Sequence, residues 1–127
     1  MKYINEESMP EKCPPATAKS EDVENVFRFL EEADPQELDF DNHLKRNLFY
    51  TKDRLCEAIA LSFFTTDKKV AEMRIRFPEK FESATILKGN IRENAGVHKT
   101  KRQHLNLWVF HGVKMFEEFT RKEEVGR

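Results

Sequence analysis

Glycine is scarce in this chain, with 4 in 127 residues, and proline is little more common at 5. So few glycines exclude a glycine-rich loop that cradles phosphates. They also predict dense regular structure with short connections. The two cysteines, Cys13 and Cys56, exclude a framework of several disulfides. Cys13 lies in a proline-rich lead-in and Cys56 inside a helical pattern, so both are expected as thiols in a reducing, cytoplasmic setting. No run approaches the length of apolar residues that spans a bilayer, so no membrane partner is expected. No apolar stretch near Met1 resembles a secretory signal. Of the four histidines, His43, His98, His104 and His111, no two stand four residues apart. None belongs to a Glu-x-x-His element either, so no metal site and no cofactor are expected. There is no Gly-x-Ser-x-Gly turn and no His near either Cys, so no nucleophile is marked.

What the chain does have is charge and phenylalanine: 35% charged residues and 11 Phe. That charge exceeds the usual quarter or so and suits helices with wet outer faces. The charge is split. Residues 1–41 carry 12 acids against 4 bases, a balance of −8, leaving +7 for the rest. Either the two parts attract each other, or the basic part meets an anionic partner.

Residues 1–19 read as an extended or disordered arm, with Tyr3, Ile4 and Met9 as anchors if it lies along a surface. Residues 20–127 read as a single helical domain. Ser20 is expected to cap a helix carrying Val23, Val26, Phe27 and Leu30. Asp34 and Pro35 are expected to open a short helix, with Glu37 completing a capping box. Leu44, Leu48, Leu55 and Ile59 make one stripe of a long central helix, and Phe49, Cys56, Ala60 and Phe63 a second. Residues 67–78 fit a helix or a strand, and helix is preferred because a lone strand has no evident mate. Another short helix follows, with Gly89 as its stop. Thr100 and Gln103 are expected as the capping box of a last helix, with Leu105, Trp108, Met115 and Phe119 buried, Gly112 at a close helix contact and Arg121 and Lys122 at its end. The predicted fold class is all-α: a compact bundle of four to five helices with an extended N-terminal arm.

The segment "GNIRENAGVHKTKRQHLNLW", residues 89–108, concentrates the candidate chemistry. Lys99, Lys101 and Arg102 would sit at a helix start, where cations are unfavourable. Proteins break local rules at functional or strained sites. Lys99, Lys101, Arg102 and His104 are therefore the candidate anion- or partner-binding residues. Within this segment "IRENAGVH" leaves five residues between Arg92 and His98. The arrangement resembles the Arg–His motif of HEPN domains, small four-helix domains, many of them metal-independent ribonucleases. The resemblance implies that Arg92 stabilises phosphorane-like charge and His98 moves a proton, across a dimer interface. Glu93 directly after the arginine departs from the family's neutral or basic residue.

The leading functional reading is a small non-enzymatic accessory or regulatory protein that binds a protein partner or its own copy. The arm 1–19 and the basic segment 88–104 would be its contacts. The alternatives are the HEPN-like ribonuclease and a nucleic-acid binder using Arg74, Arg76, Lys99, Lys101 and Arg102. Near-neutral total charge and the lack of interleaved exposed aromatics weigh against dedicated nucleic-acid binding.

Overall fold

The computed structural model describes residues 1–48 and 50–120. Its centre is a five-stranded antiparallel sheet, which overturns the expected all-α bundle. In chain order the elements are β1 (Val23–Leu30), α1 (Leu55–Ile59), β2 (Leu61–Phe64), α2 (Asp67–Arg76), α3 (Pro78–Phe81), β3 (Thr85–Ile91), β4 (Gly96–Lys101), β5 (His104–Val109) and α4 (Met115–Thr120). The ladder order is β3-β1-β2-β5-β4.

That order puts β3 and β4 at opposite ends, about 19 Å apart if the sheet were flat. Yet residues 92–95 alone join them, tightened by a bond of 2.9 Å from Ala95 N–H to Arg92 O. Even five fully extended Cα steps reach only about 17 Å. The sheet therefore curls. The lead-in to β1 confirms this, because Lys19 bridges β4 at His98 while Val23 pairs with β3 at Ile91.

Curling gives the sheet a concave inner face and an outer face. Strand alternation sends Leu61 and Phe63 of β2, Leu105, Leu107 and Val109 of β5, and Val26 of β1 inward. Phe40, Met115 and Phe119 close this core. The outer face has two covers. Tyr3, Met9, Cys13 and Ala18 pack with α1 residue Ile59 and with Ala60 over Trp108 and Val97. Further along, Phe81 of α3 stacks on Phe29 of β1 at 4.2 Å between ring centres, and Phe29 meets Phe64 edge-on at 5.6 Å.

Coverage on both faces explains the misread strands. A strand buried on both sides shows no clean alternation and imitates helical spacing. In β1, Val26 and Leu30 face inward and Phe27 and Phe29 outward, with a register irregularity between Val23 and Val26. The stripe read for the long central helix ends in α1 and continues as β2. The expected cap Ser20 instead donates its hydroxyl to Glu93 O. Asp34 and Pro35 precede a 3-10 turn, Glu37–Phe40, capped by Gln36 with Asp39 bonding back to it. Gly89, expected as a helix stop, lies inside β3, where a Cβ would meet the Phe119 carbonyl oxygen at 2.8 Å. Gly112, expected at a helix contact, instead takes a φ of 90° in a turn. Residues 67–76 are helical, capped by Thr66, whose side chain accepts from Lys69 N–H. Phe49, Arg121 and Lys122, placed in expected helices, lie outside the described residues.

The two cysteines are not free thiols. Cys13 and Cys56 form a disulfide that closes a sequence separation of 43. The thiol reading failed because Cys56, on α1, faces the N-terminal segment. Among the described residues no helix is long and apolar enough to cross a membrane.

Candidate anion-binding face

The basic segment forms a β-hairpin. Lys101 pairs with His104, so Arg102 and Gln103 are the two turn residues. Both have positive φ, 52° and 62°, the pattern of a type I′ turn. This replaces the expected capping box and helix start. Such turns favour Asn-Gly, and Arg-Gln carries no such signal. Non-glycine residues held there store strain.

The register gathers the candidate residues. Directly opposed residues in an antiparallel pair share a face. Lys101 opposes His104, His104 opposes Phe64, and Phe64 opposes Phe27. In the next outward-facing row Lys99 opposes Asn106 and Asn106 opposes Ser62. Three of the four sequence candidates thus lie on one outer face, with Arg102 at its tip. Lys99, Lys101 and Arg102 are exposed and make no ion pair with another described residue.

The floor of this face is a histidine–serine pair. His104 Nε2 lies 2.9 Å from Ser62 Oγ. Burial holds His104 below its ordinary pKa; Glu57 opposes this, while Lys69 and Arg54 add to it. The imidazole is therefore neutral near pH 7, ready to donate or accept one hydrogen bond. From the other side of the sheet, Arg28 Nη1 donates to the Ser62 carbonyl at 2.6 Å. Arg28 lies in the core between the Phe40 and Phe63 rings, 5.5 and 5.4 Å from their centres. Its Nε donates to Asp39 O at 2.7 Å. Burial pushes the guanidinium down to about 10, Asp39 opposing and Arg46 adding, so it stays charged at neutral pH. Ser62 joins this half-buried cation to the outer pair.

The turn is braced by Thr65 N–H, which donates to Gln103 O at 3.0 Å. A cleft of about 450 Å³ flanks the hairpin, between Thr17 and Lys19 on one side and His98, Lys99 and Thr100 on the other. The acidic loop with Glu31, Glu32, Asp34 and Glu37 lies elsewhere. From the shared Phe27–Phe64–His104 row, β1 and β5 run in the same direction, β1 to the acidic loop and β5 away from the turn. Basic tip and acidic loop therefore mark opposite ends of these strands.

Arg92 and His98 have other surroundings. Arg92 lies in the β3–β4 link, 3.9 Å from both Asp22 and Glu24 carboxylates. His98 is buried, at 4% exposure. Its Nε2 donates to Glu21 O at 3.0 Å, and its backbone exchanges two bonds with Lys19. It pins the lead-in of β1 to β4. The four-helix frame that the HEPN resemblance implies is replaced by a sheet. Of the other cations named for nucleic acid, Arg76 is exposed on α2 over the Phe77 ring, 5.5 Å from its centre. Arg74 is turned inward and donates to Ala84 O at 2.9 Å. Ser62 and Asn106 escaped the sequence reading; the signal that marks them is alternation with apolar neighbours in "LSFF" and "HLNLWV". Comparison with protein-family models, curated proteins and solved structures finds no match to this chain.

Proposed function

We propose that the protein is a non-enzymatic binding module whose β4–β5 hairpin docks on an acidic surface of a protein partner. One observation carries this reading. Lys99 and Lys101 on β4 and Arg102 in the braced, strained turn are exposed, and none makes an ion pair with another described residue. Three such cations speed encounter with an acidic partner and fix its register. His104 and Ser62 add a neutral hydrogen-bonding floor.

Capture by wild type and by the Lys99→Glu, Lys101→Glu, Arg102→Glu variant tests the proposal. Wild type is expected to recover a stoichiometric protein, and the variant to lose it with unchanged fold. A partner retained by the variant overturns the assignment. Nucleic acid is the alternative anion; capture abolished by nuclease, with affinity falling steeply in salt, identifies it.

A second reading has its own support. Among the described residues β4 has β5 on one side and only the Lys19 bridge on the other. Lysines on such an edge discourage strand pairing between molecules. Under that reading a Lys99→Gln, Lys101→Gln variant self-associates, whereas under the first it stays monomeric and loses its partner. The cytoplasmic setting expected from the cysteines is likewise open to test. The Cys13–Cys56 bond supports an oxidising compartment instead, and counting free thiols in protein isolated under alkylation decides between them.

A further inference from the structure

Residues 5–18 cross the outer face without joining the sheet. Among the described residues their backbone hydrogen bonds run only to one another and to Tyr3: Ser8 to Asn5, Met9 to Glu6, Cys13 to Pro10 and Ala18 to Pro15. Pro10, Pro14 and Pro15 have no N–H to offer a strand. Both ends of the segment are clamped. Ile4 N–H donates to Val109 O at 3.0 Å, and Tyr3 bridges Phe110. At the other end Lys19 and His98 exchange bonds of 3.0 and 2.8 Å.

Between these clamps three things hold the segment down. The Cys13–Cys56 bond ties it to α1. Met9 and Ala18 touch the cluster around Trp108. Asn42 Nδ2 donates to Asn5 Oδ1 at 3.0 Å. Beneath lies the apolar seat of Ile59, Ala60, Val97 and Trp108. Trp108, the chain's single tryptophan, is 2% exposed, and its Nε1 donates to the carbonyl of Cys56 itself at 2.9 Å.

We propose that residues 5–18 are a strap latched by Cys13–Cys56, which a dithiol reductant opens to uncover the seat around Trp108. A thiolate of the reductant attacks one sulfur, the S–S bond breaks, and a mixed disulfide forms. The second thiol of the reductant resolves it. Two electrons pass to the protein, which keeps two thiols, and the reductant leaves as its own disulfide. Cys13 and Cys56 are half-buried, so the bond is within reach of such a reagent. Clamped ends and a loosely held middle make the motion local. The bonds at Tyr3, Ile4 and Lys19 stay while the middle lifts.

The experiment treats the full chain with dithiothreitol under native conditions and follows Trp108 emission, far-ultraviolet circular dichroism and tryptic cleavage after Lys12. The expected result is a red shift of emission and faster cleavage after Lys12, with the sheet signal kept. The Cys13→Ser, Cys56→Ser variant is expected to show both changes without reductant and none on its addition. Unchanged emission and cleavage after complete reduction show that packing, not the bond, holds the strap, and overturn the proposal. Loss of the sheet signal on reduction overturns it too, because the bond is then a staple for the whole fold. Hydrogen exchange separates these cases, since the proposal confines faster exchange to residues 5–18 and the strands beneath them.

Discussion

The two covers of the outer face solve one problem by different means. Over β4 and β5 lies the strap, with a single 3-residue 3-10 turn as its regular structure. Over β1 lie α2 and α3, which bond their own backbones. A helix leaves only its end groups in need of partners, so side-chain packing suffices to seat it. Phe81 stacks on Phe29, and Arg74 reaches over the same ring, 5.9 Å from its centre. An irregular segment loses more conformational freedom on docking and gains fewer bonds. A covalent tie offsets this by restricting the unfolded chain. The disulfide thus ties the cover that lacks regular structure of its own to α1.

The largest expected effect removes what both covers rest on. Phe63 is fully buried in the inner core. Phe63→Ala is expected to lower unfolding free energy by about 3–5 kcal/mol, measured by denaturant titration, and to loosen both covers together. A loss under about 1 kcal/mol would show that the inner face does not support them.

Next comes the strap alone. The Cys13→Ser, Cys56→Ser variant is expected to lose about 2–4 kcal/mol, with α2 and α3 keeping their protection in hydrogen exchange. Equal loss of protection over residues 67–81 would erase the distinction between the covers. A smaller change addresses the helical cover. Thr66→Ala removes the cap that accepts from Lys69 N–H. About 1 kcal/mol is expected, with no change in Trp108 emission. A shifted emission would mean that the covers are coupled.

The smallest effect lies between the covers, at His104. Its folded pKa is held below the ordinary 6.5, chiefly by burial. The unfolded chain then binds more protons as pH falls below that value. Stability from this group is complete above 6.5 and declines as pH falls through the folded value. His43 is also lowered, first by burial and then by Lys80, Arg28 and Arg46. His104→Gln should therefore flatten part of the decline between pH 7 and 5 and leave the part due to His43. An unchanged pH profile would remove His104 from the account.

Some of this molecule is legible in residues alone. The preference for helix over residues 67–78 agrees with α2, and Pro78 stands at the break between α2 and α3. Tyr3, Ile4 and Met9, the anchors named for the arm, do touch the two apolar clusters. The strands were hidden because Phe27, Phe29, Phe64 and Trp108 are apolar on the face that usually alternates with polar residues. The hairpin was hidden because Arg102 and Gln103 occupy a turn normally advertised by glycine or asparagine. Alternation in "LSFF" marks the face of Ser62 but not its partner, since His104 is brought to it only by the register of β2 and β5.

The residues alone settle the amount of apolar material, the split of charge and the presence of the trio Lys99, Lys101 and Arg102, and they favour a helix over residues 67–78 without deciding it. These follow from local composition and from contacts within one turn of chain. Only the tertiary structure decided that most apolar stripes are strands, that Cys13 meets Cys56, that Arg28 is a core cation, and that His98 is a buried clamp. Each of those depends on which residues far apart in the chain become neighbours. Two-sided burial and strand register settle that choice, and neither is written in the spacing of any single segment.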